Sequence, residues 1–186
     1  MPRPSHKDTI VQSALAVFHE SGYHASGVQV IVDHAGVPKG SFYNHFKSKD
    51  DLGLEVLDAY WSQTEPLREV LKDTTRPPLD RIDAHLEAFS VTQNGCLVGN
   101  FTGEMANIPR FQEALQKIYA EWMDDFELCI EQGQQDGTIR TDETAKALAE
   151  FVVTSLEGSV LKRKISNDES NLINFRKTMM LFLRAT

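Results

Sequence analysis

Ala35-Gly36-Val37-Pro38-Lys39-Gly40-Ser41-Phe42-Tyr43-Asn44-His45-Phe46 is the stretch that decides how this chain folds. Gly36 suits a tight turn in which a bulkier residue would crowd the backbone. Val37 is placed to plug between two helices, and Pro38 suits the start of the second. Phe42 and Phe46, four residues apart, share one helical face and point inward. The outer side is then Lys39, Gly40, Ser41, Tyr43, Asn44 and His45. A bland surface helix would carry more Glu and Lys and no exposed Tyr. This polar set instead offers donors to base edges and phosphates.

Upstream, Ile10, Val11, Ala14, Leu15, Val17 and Phe18 mark one face of a first helix, ended by the Ser21-Gly22 step. Val28, Ile31, Val32 and Ala35 give a short second helix with Ser26 as its expected N-cap. Three short helices, the last two joined by a glycine turn, meet the requirements of a helix-turn-helix.

Downstream the pattern stays helical. Ser48 is expected to cap a fourth helix, with Asp51 at the N3 position of an imperfect capping box, and Pro66 to kink or interrupt that helix. Five more helices follow, giving about nine in all. Leu79, Ile82, Leu86 and Phe89 line one; Leu97, Phe101 and Met105 line a short one closed before Pro109. A long helix spans Pro109 to Gln134. Thr141, with Asp142 and Glu143 after it, is expected to open the next, and Ser166 with Glu169 to form the capping box of the last. Strand alternation, repeats and low-complexity tracts are lacking, so the fold class is all-α. The expected division is a DNA-binding domain over 1–50 and an effector-binding and dimerisation domain over 51–186, with a soft boundary in the fourth helix.

Net charge is -8, which at first speaks against nucleic acid. Its distribution softens the objection. Residues 1–50 hold five Lys/Arg against four Asp/Glu, and five of the six histidines. An acidic body behind a near-neutral head suits contact with DNA at one end. No apolar run reaches the roughly 20 residues of a membrane helix. Without a signal-peptide core the expected address is the cytoplasm. Cys96 and Cys129 are too few for a disulfide scaffold and are not spaced as a zinc knuckle. No nucleophile elbow, phosphate-binding glycine loop or HExxH occurs, so neither an enzyme nor a cofactor is expected.

Gly22-Tyr23, the Ala35–Phe46 run and Ser48-Lys49-Asp50-Asp51-Leu52 together resemble the DNA-binding domain of the TetR family of transcriptional repressors. The resemblance implies that Lys39, Gly40 and Ser41 approach base edges or the neighbouring backbone in the major groove. It assigns Tyr43 and His45 to phosphates and Lys49 to a clamp on the DNA backbone; Asn44 belongs to the same outer face. Gln29 stands where many relatives carry a basic residue, Val32 replaces a usual alanine, and Gly27 a common Ser or Thr. The implied partners are a palindromic double-stranded DNA operator, a second copy of the chain and a small-molecule effector, with no membrane. Val152, Leu156, Val160, Met179, Phe182 and Leu183 are expected to form half of a four-helix bundle at the dimer interface.

An apolar or aromatic effector is expected among the middle helices, near Phe89, Phe101, Met105, Trp122, Phe126 and Leu156, with His85, Asn100, Glu104, Tyr119 and Glu157 as polar contacts. Gly95-Cys96-Leu97 also resembles an electrophile- and oxidant-sensing branch of the family. Cys96 is therefore a candidate redox sensor, against a packed structural cysteine; Cys129 reads as a core or boundary cysteine. The alternative of another class is a helical scaffold or interaction module, which leaves the Lys39–His45 face without purpose.

Overall fold

The computed structural model describes residues 5–90, 95–166, 168 and 170–185, apart from the side chains of Phe89 and Ser90. It is helical throughout: α1 (His6–Ser21), α2 (Val28–Ala35), α3 (Lys39–His45), α4 (Lys49–Gln63), α5 (Glu65–Lys72), α6 (Pro78–Ser90), α7 (Leu97–Met105), α8 (Pro109–Gln135), α9 (Ala145–Ser166) and α10 (Ser170–Leu183). Among the described residues the one departure from helix pairing is an antiparallel bridge between Ile139 and Arg184. Arg140 N–H donates to the Leu183 carbonyl at 2.9 Å and Ala185 N–H to that of Thr138 at 3.0 Å, tying the α8–α9 connection to the end of α10.

Among the described residues ten helices stand where about nine were expected, because α4 stops at Gln63 and α5 starts at Glu65. Pro66 falls in the first turn of α5, where a missing N–H costs nothing. Three caps also differ from expectation. The N-cap of α2 is Gly27, while the Ser26 hydroxyl donates back to the Gly22 carbonyl at 2.6 Å. α9 opens from Thr144, whose hydroxyl accepts Ala147 N–H at 3.2 Å; Asp142 instead takes both Nε and Nη2 of Arg140. Ser166 ends α9 rather than opening α10. Asp168 accepts Ser170 N–H at 2.9 Å there, and Glu169 lies outside the described residues. At α9 and α10 a neighbouring hydroxyl or carboxyl takes the orphan donors, which spacing alone does not resolve, and at α2 no side chain takes them. Ser48 caps α4 as expected, accepting Asp51 N–H at 3.1 Å.

Two compact units emerge: Met1–Gln63 with Leu97–Leu115, and Thr64–Cys96 with Gln116–Thr186. The expected division at 50/51 differs from this, since all of α4, α7 and the start of α8 gather with the helix-turn-helix. In the first unit Ile10, Ala14, Phe18, Ile31, Val32, Phe42, Leu52 and Val56 are fully buried. Phe101 of α7 and Phe111 of α8 complete an aromatic cluster with Phe18 and Tyr23, ring centroids 5.1 to 5.9 Å apart. Gly53 of α4 is needed here: a Cβ would lie 2.9 Å from the Tyr23 ring and 3.0 Å from that of Phe111.

In the second unit Ile82, His85, Trp122, Phe126, Ile130, Val152 and Leu156 form the interior. Arg81 is buried with its guanidinium on the Leu71 carbonyl at 2.9 Å and Gln132 at 2.7 Å. Val152, Leu156, Val160, Met179 and Leu183 are buried within this chain, so most of the stripe expected at the dimer interface closes its own core. The exposed apolar residues of α9 and α10 are Phe151, Leu161, Ile165, Ile173 and Leu181. Both helices carry apolar residues on more than one face, and periodicity cannot say which face turns inward.

Candidate nucleic-acid interface

Gly36 ends α2 in the left-handed conformation at φ 65°, and its N–H closes on the Asp33 carbonyl. Val37 N–H then donates to the Val32 carbonyl at 3.1 Å, and Ser41 N–H to that of Pro38 at 2.8 Å. These bonds fix the angle at which α3 leaves the turn. Phe42 and Phe46 are buried, so the opposite side of α3 has one direction left to face. Lys39, Gly40, Tyr43, Asn44 and His45 are exposed, Tyr43 by 60%, and Ser41 is half-buried with its hydroxyl 3.2 Å from His6 Nδ1. A Cβ on Gly40 would meet nothing within 4 Å. The fold therefore does not demand glycine there, and the clearance is on the outer side.

Lys49, expected to clamp the DNA backbone, is bonded within the protein here. Its ammonium donates to the carbonyls of Tyr23 at 3.0 Å and Ser26 at 3.1 Å, and sits 4.1 Å from the Tyr23 ring centroid. Partial burial lowers its pKa, against an opposing effect of Asp50 and Glu104. The Tyr23 hydroxyl donates to Asp50, and burial followed by that bond raises the phenol pKa above its ordinary value. The other side of the same turn is held by Glu104, whose two carboxylate oxygens accept Tyr23 N–H at 3.0 Å and His24 N–H at 2.7 Å. Glu104 lies about eighty residues away in sequence, so nothing local signalled this contact. The resemblance included Gly22-Tyr23 but gave those residues no role.

Residues 10–56 match the family of bacterial regulatory proteins named for tetR, and residues 78–179 match the tetracyclin repressor-like C-terminal domain. The HTH-type transcriptional repressor DhaR of Mycobacterium sp. (strain GP1) is 36% identical over 94% of this chain and 90% of its own length. The chain belongs to the TetR family. The transcriptional regulator AcuR of Cereibacter sphaeroides is 31% identical, over 91% of this chain and 81% of its own. Among solved structures, a regulatory protein TetR from Rhodobacter sphaeroides has a TM-score of 0.89 at 29% identity, covering 95% of this chain and 97% of that one. NemR of E. coli in its reduced form has a TM-score of 0.88 at 21% identity over 97% and 98%, a likeness of fold alone. Family membership makes this protein a helix-turn-helix transcription regulator of dimeric architecture and not an enzyme. No described helix is long and apolar enough to cross a membrane.

In this TetR-family chain the residues expected around an effector divide between the units. Asn100, Phe101, Glu104 and Met105 fall in the first, where Phe101 stacks in the aromatic cluster and Glu104 holds the turn. His85, Tyr119, Trp122, Phe126 and Leu156 fall in the second. There the His85 ring donates from Nδ1 to the Leu67 carbonyl at 2.8 Å and accepts Trp122 Nε1–H at 3.1 Å. Tyr119 stacks on Trp122 at 20° between planes. The side chain of Phe89 lies outside the described residues. Two grooves, of about 430 Å³ between α9 and α10 and about 620 Å³ between α6 and α10, contain none of the expected effector residues.

Cys96 is 4% exposed, precedes the first residue of α7, and hydrogen-bonds the Glu157 carboxyl. Burial raises the Glu157 pKa, and that bond partly offsets the rise. This is a packed thiol on an acid, not a cysteine inside a helix start and open to an electrophile. Cys129 is buried against the Pro78 carbonyl at 3.5 Å, its pKa pushed up to about 11 by burial, as a core cysteine should be.

Proposed function

We propose that the protein represses transcription as a homodimer on a palindromic operator, each copy presenting α3 to one major groove, and that a small apolar or aromatic effector releases it. The observation that carries this is the outer side of α3, where Lys39, Tyr43, Asn44 and His45 are exposed behind a buried Phe42 and Phe46. Gly40 gives α3 room to approach the bases, Lys39 and Ser41 read them, and Tyr43 and His45 engage phosphates. Lys49 acts at one remove, by holding the α1–α2 turn. The name of the relative DhaR supports repression. The match of residues 78–179 to the tetracyclin repressor-like C-terminal domain supports a small-molecule effector.

Selection from a random duplex pool is expected to return a twofold-symmetric site. Tyr43→Ala should then weaken binding to that site and to random duplex alike, by about tenfold, because its neutral hydroxyl meets phosphate. The salt dependence should stay unchanged, since no cation is lost. Lys39→Ala or Ser41→Ala should instead change the preferred sequence. A Tyr43→Ala protein that changed base preference while keeping random-duplex affinity would refute this sorting of contacts.

The dimer face assigned to α9 and α10 is the groove edged by Phe151, Ser155, Ser159, Phe175 and Phe182, continuous with exposed Phe151. Phe151→Lys places a charge there without touching the buried core, so sedimentation should show a rise in monomer with helix content kept. An unchanged dimer would move the interface elsewhere.

A further inference from the structure

The α1–α2 turn is gripped from two elements by opposite charges. Lys49 of α4 takes the carbonyls of Tyr23 and Ser26. Glu104 of α7 takes the N–H groups of Tyr23 and His24 with one oxygen each, and its own carbonyl accepts the His24 ring N–H at 3.2 Å. Hydrogen bonds to an ionised acceptor are about twice as strong as neutral ones, and two parallel bonds fix direction as well as distance. Gly22 makes the approach possible: at φ 83° it is a conformation for glycine, and a Cβ would lie 2.8 Å from Glu104 Oε1. Arg110 at the start of α8 adds a bond to Asp51 of α4 at 2.9 Å. The turn so held leads directly into α2 at Val28, and the Gly36–Pro38 turn carries that placement on to α3. Glu104 itself has no part in the exposed side of α3.

We infer that Glu104 is a positioning residue for DNA reading: its carboxylate, delivered by α7, sets the α1–α2 turn and thereby the placement of α2 and α3 on the operator. This rests on the DNA-reading role proposed above. Its consequence is that reach, not charge, is what the position requires. A shorter carboxylate keeps the charge and loses the two-point grip. An amide keeps the length but turns a donor toward one of the two N–H groups.

The test compares full-length wild type with Glu104→Asp and Glu104→Gln on the selected site and on random duplex. Hydrogen exchange at Tyr23 and His24 and the thermal midpoint are measured on the same samples. Both variants are expected to lose specific affinity by about tenfold, the worth of one or two such bonds, while random-duplex affinity holds. Tyr23 and His24 amides should exchange faster in both, with dimer and helix content unchanged. If Glu104 acted only through its negative charge, Glu104→Asp would behave as wild type and Glu104→Gln would bind all DNA more tightly; that result overturns the inference. So does an equal loss on both duplexes that tracks a fall in thermal midpoint. Wild type selecting no sequence would overturn the DNA-reading role and the inference with it. Specific binding by wild type and both variants alike would overturn the inference alone.

Discussion

Phe101→Ala is expected to destabilise the helix-turn-helix unit by about 3–5 kcal/mol, the range for removing a buried aromatic ring. Phe101 is 1% exposed and meets three rings, with centroids 5.8 Å away for Phe18, 5.5 Å for Tyr23 and 5.9 Å for Phe111. Its neighbours come from three separate elements, α1, the α1–α2 turn and α8, so collapse to fill the space would have to move backbone. Little relief is available from α4, because Gly53 already lies against Tyr23 and Phe111. The cost should therefore sit toward the top of the range rather than the bottom. Phe101→Leu, which keeps most of the volume, should cost about 1–1.5 kcal/mol. Urea unfolding followed by a probe in the first unit checks both. A loss under about 1 kcal/mol for the alanine variant would show that the ring is not packed as described. Operator binding should fail at lower denaturant in the alanine variant than in wild type, because the reading helix depends on this cluster.

Much of the first unit was legible because its determinants are local. Gly36, Pro38, Phe42 and Phe46 set a turn and a helix within a dozen residues, and the outer side followed by exclusion. What was not legible there is long-range. Phe101, Glu104 and Phe111 belong to the helix-turn-helix unit, yet lie about fifty residues or more beyond its expected end. Phe101 and Glu104 read equally well as part of an effector site, and only the fold shows that the Phe101 ring is spent on Phe18 and Tyr23. Lys49 illustrates a subtler limit. A lysine at a helix start next to a DNA-reading module invites a phosphate, but two backbone carbonyls of the α1–α2 turn lie within its reach. In the second unit the helices themselves were legible from periodicity, whereas the inward face of α9 and α10 was not. Val152, Leu156 and Val160 compete with Phe151, Leu161 and Ile165 for the same role, and the decision depends on what packs against each side. The caps of α9 and α10 failed for the related reason that several hydroxyls and carboxyls crowd those helix starts, and one or two residues decide which is used.

Acidification below about pH 6.5 should weaken the second unit, and His85 is the expected cause. The ring is buried, with Nδ1–H on the Leu67 carbonyl, Nε2 accepting the Trp122 indole N–H, and the Phe126 ring edge-on at 5.0 Å. The bond from Trp122 and the apolar surround suit the neutral ring. Protonation at Nε2 would set a new N–H against the indole N–H, inside an apolar cluster. Burial is the main reason its pKa falls to about 4; the Arg68 charge lowers it too, and the bond to Leu67 opposes the shift. In the unfolded chain the ring titrates near 6.5. As pH drops below about 6.5 the unfolded state takes a proton that the native state refuses, so stability declines from that point. The decline ends only once the native ring itself protonates near pH 4. Across this window the total is roughly 3 kcal/mol, at most about 1.4 kcal/mol per pH unit. His85→Gln preserves one donor and one acceptor without a titrating group. Its absolute stability will be lower, but its unfolding free energy should run flatter than wild type between pH 6.5 and 4.5. Paired carboxylates such as Asp83 on Arg176 affect both proteins equally and so cancel in the difference. Parallel curves over that interval, or an NMR titration placing the His85 ring near 6.5 in the folded protein, would show that the ring is not held neutral by its surroundings.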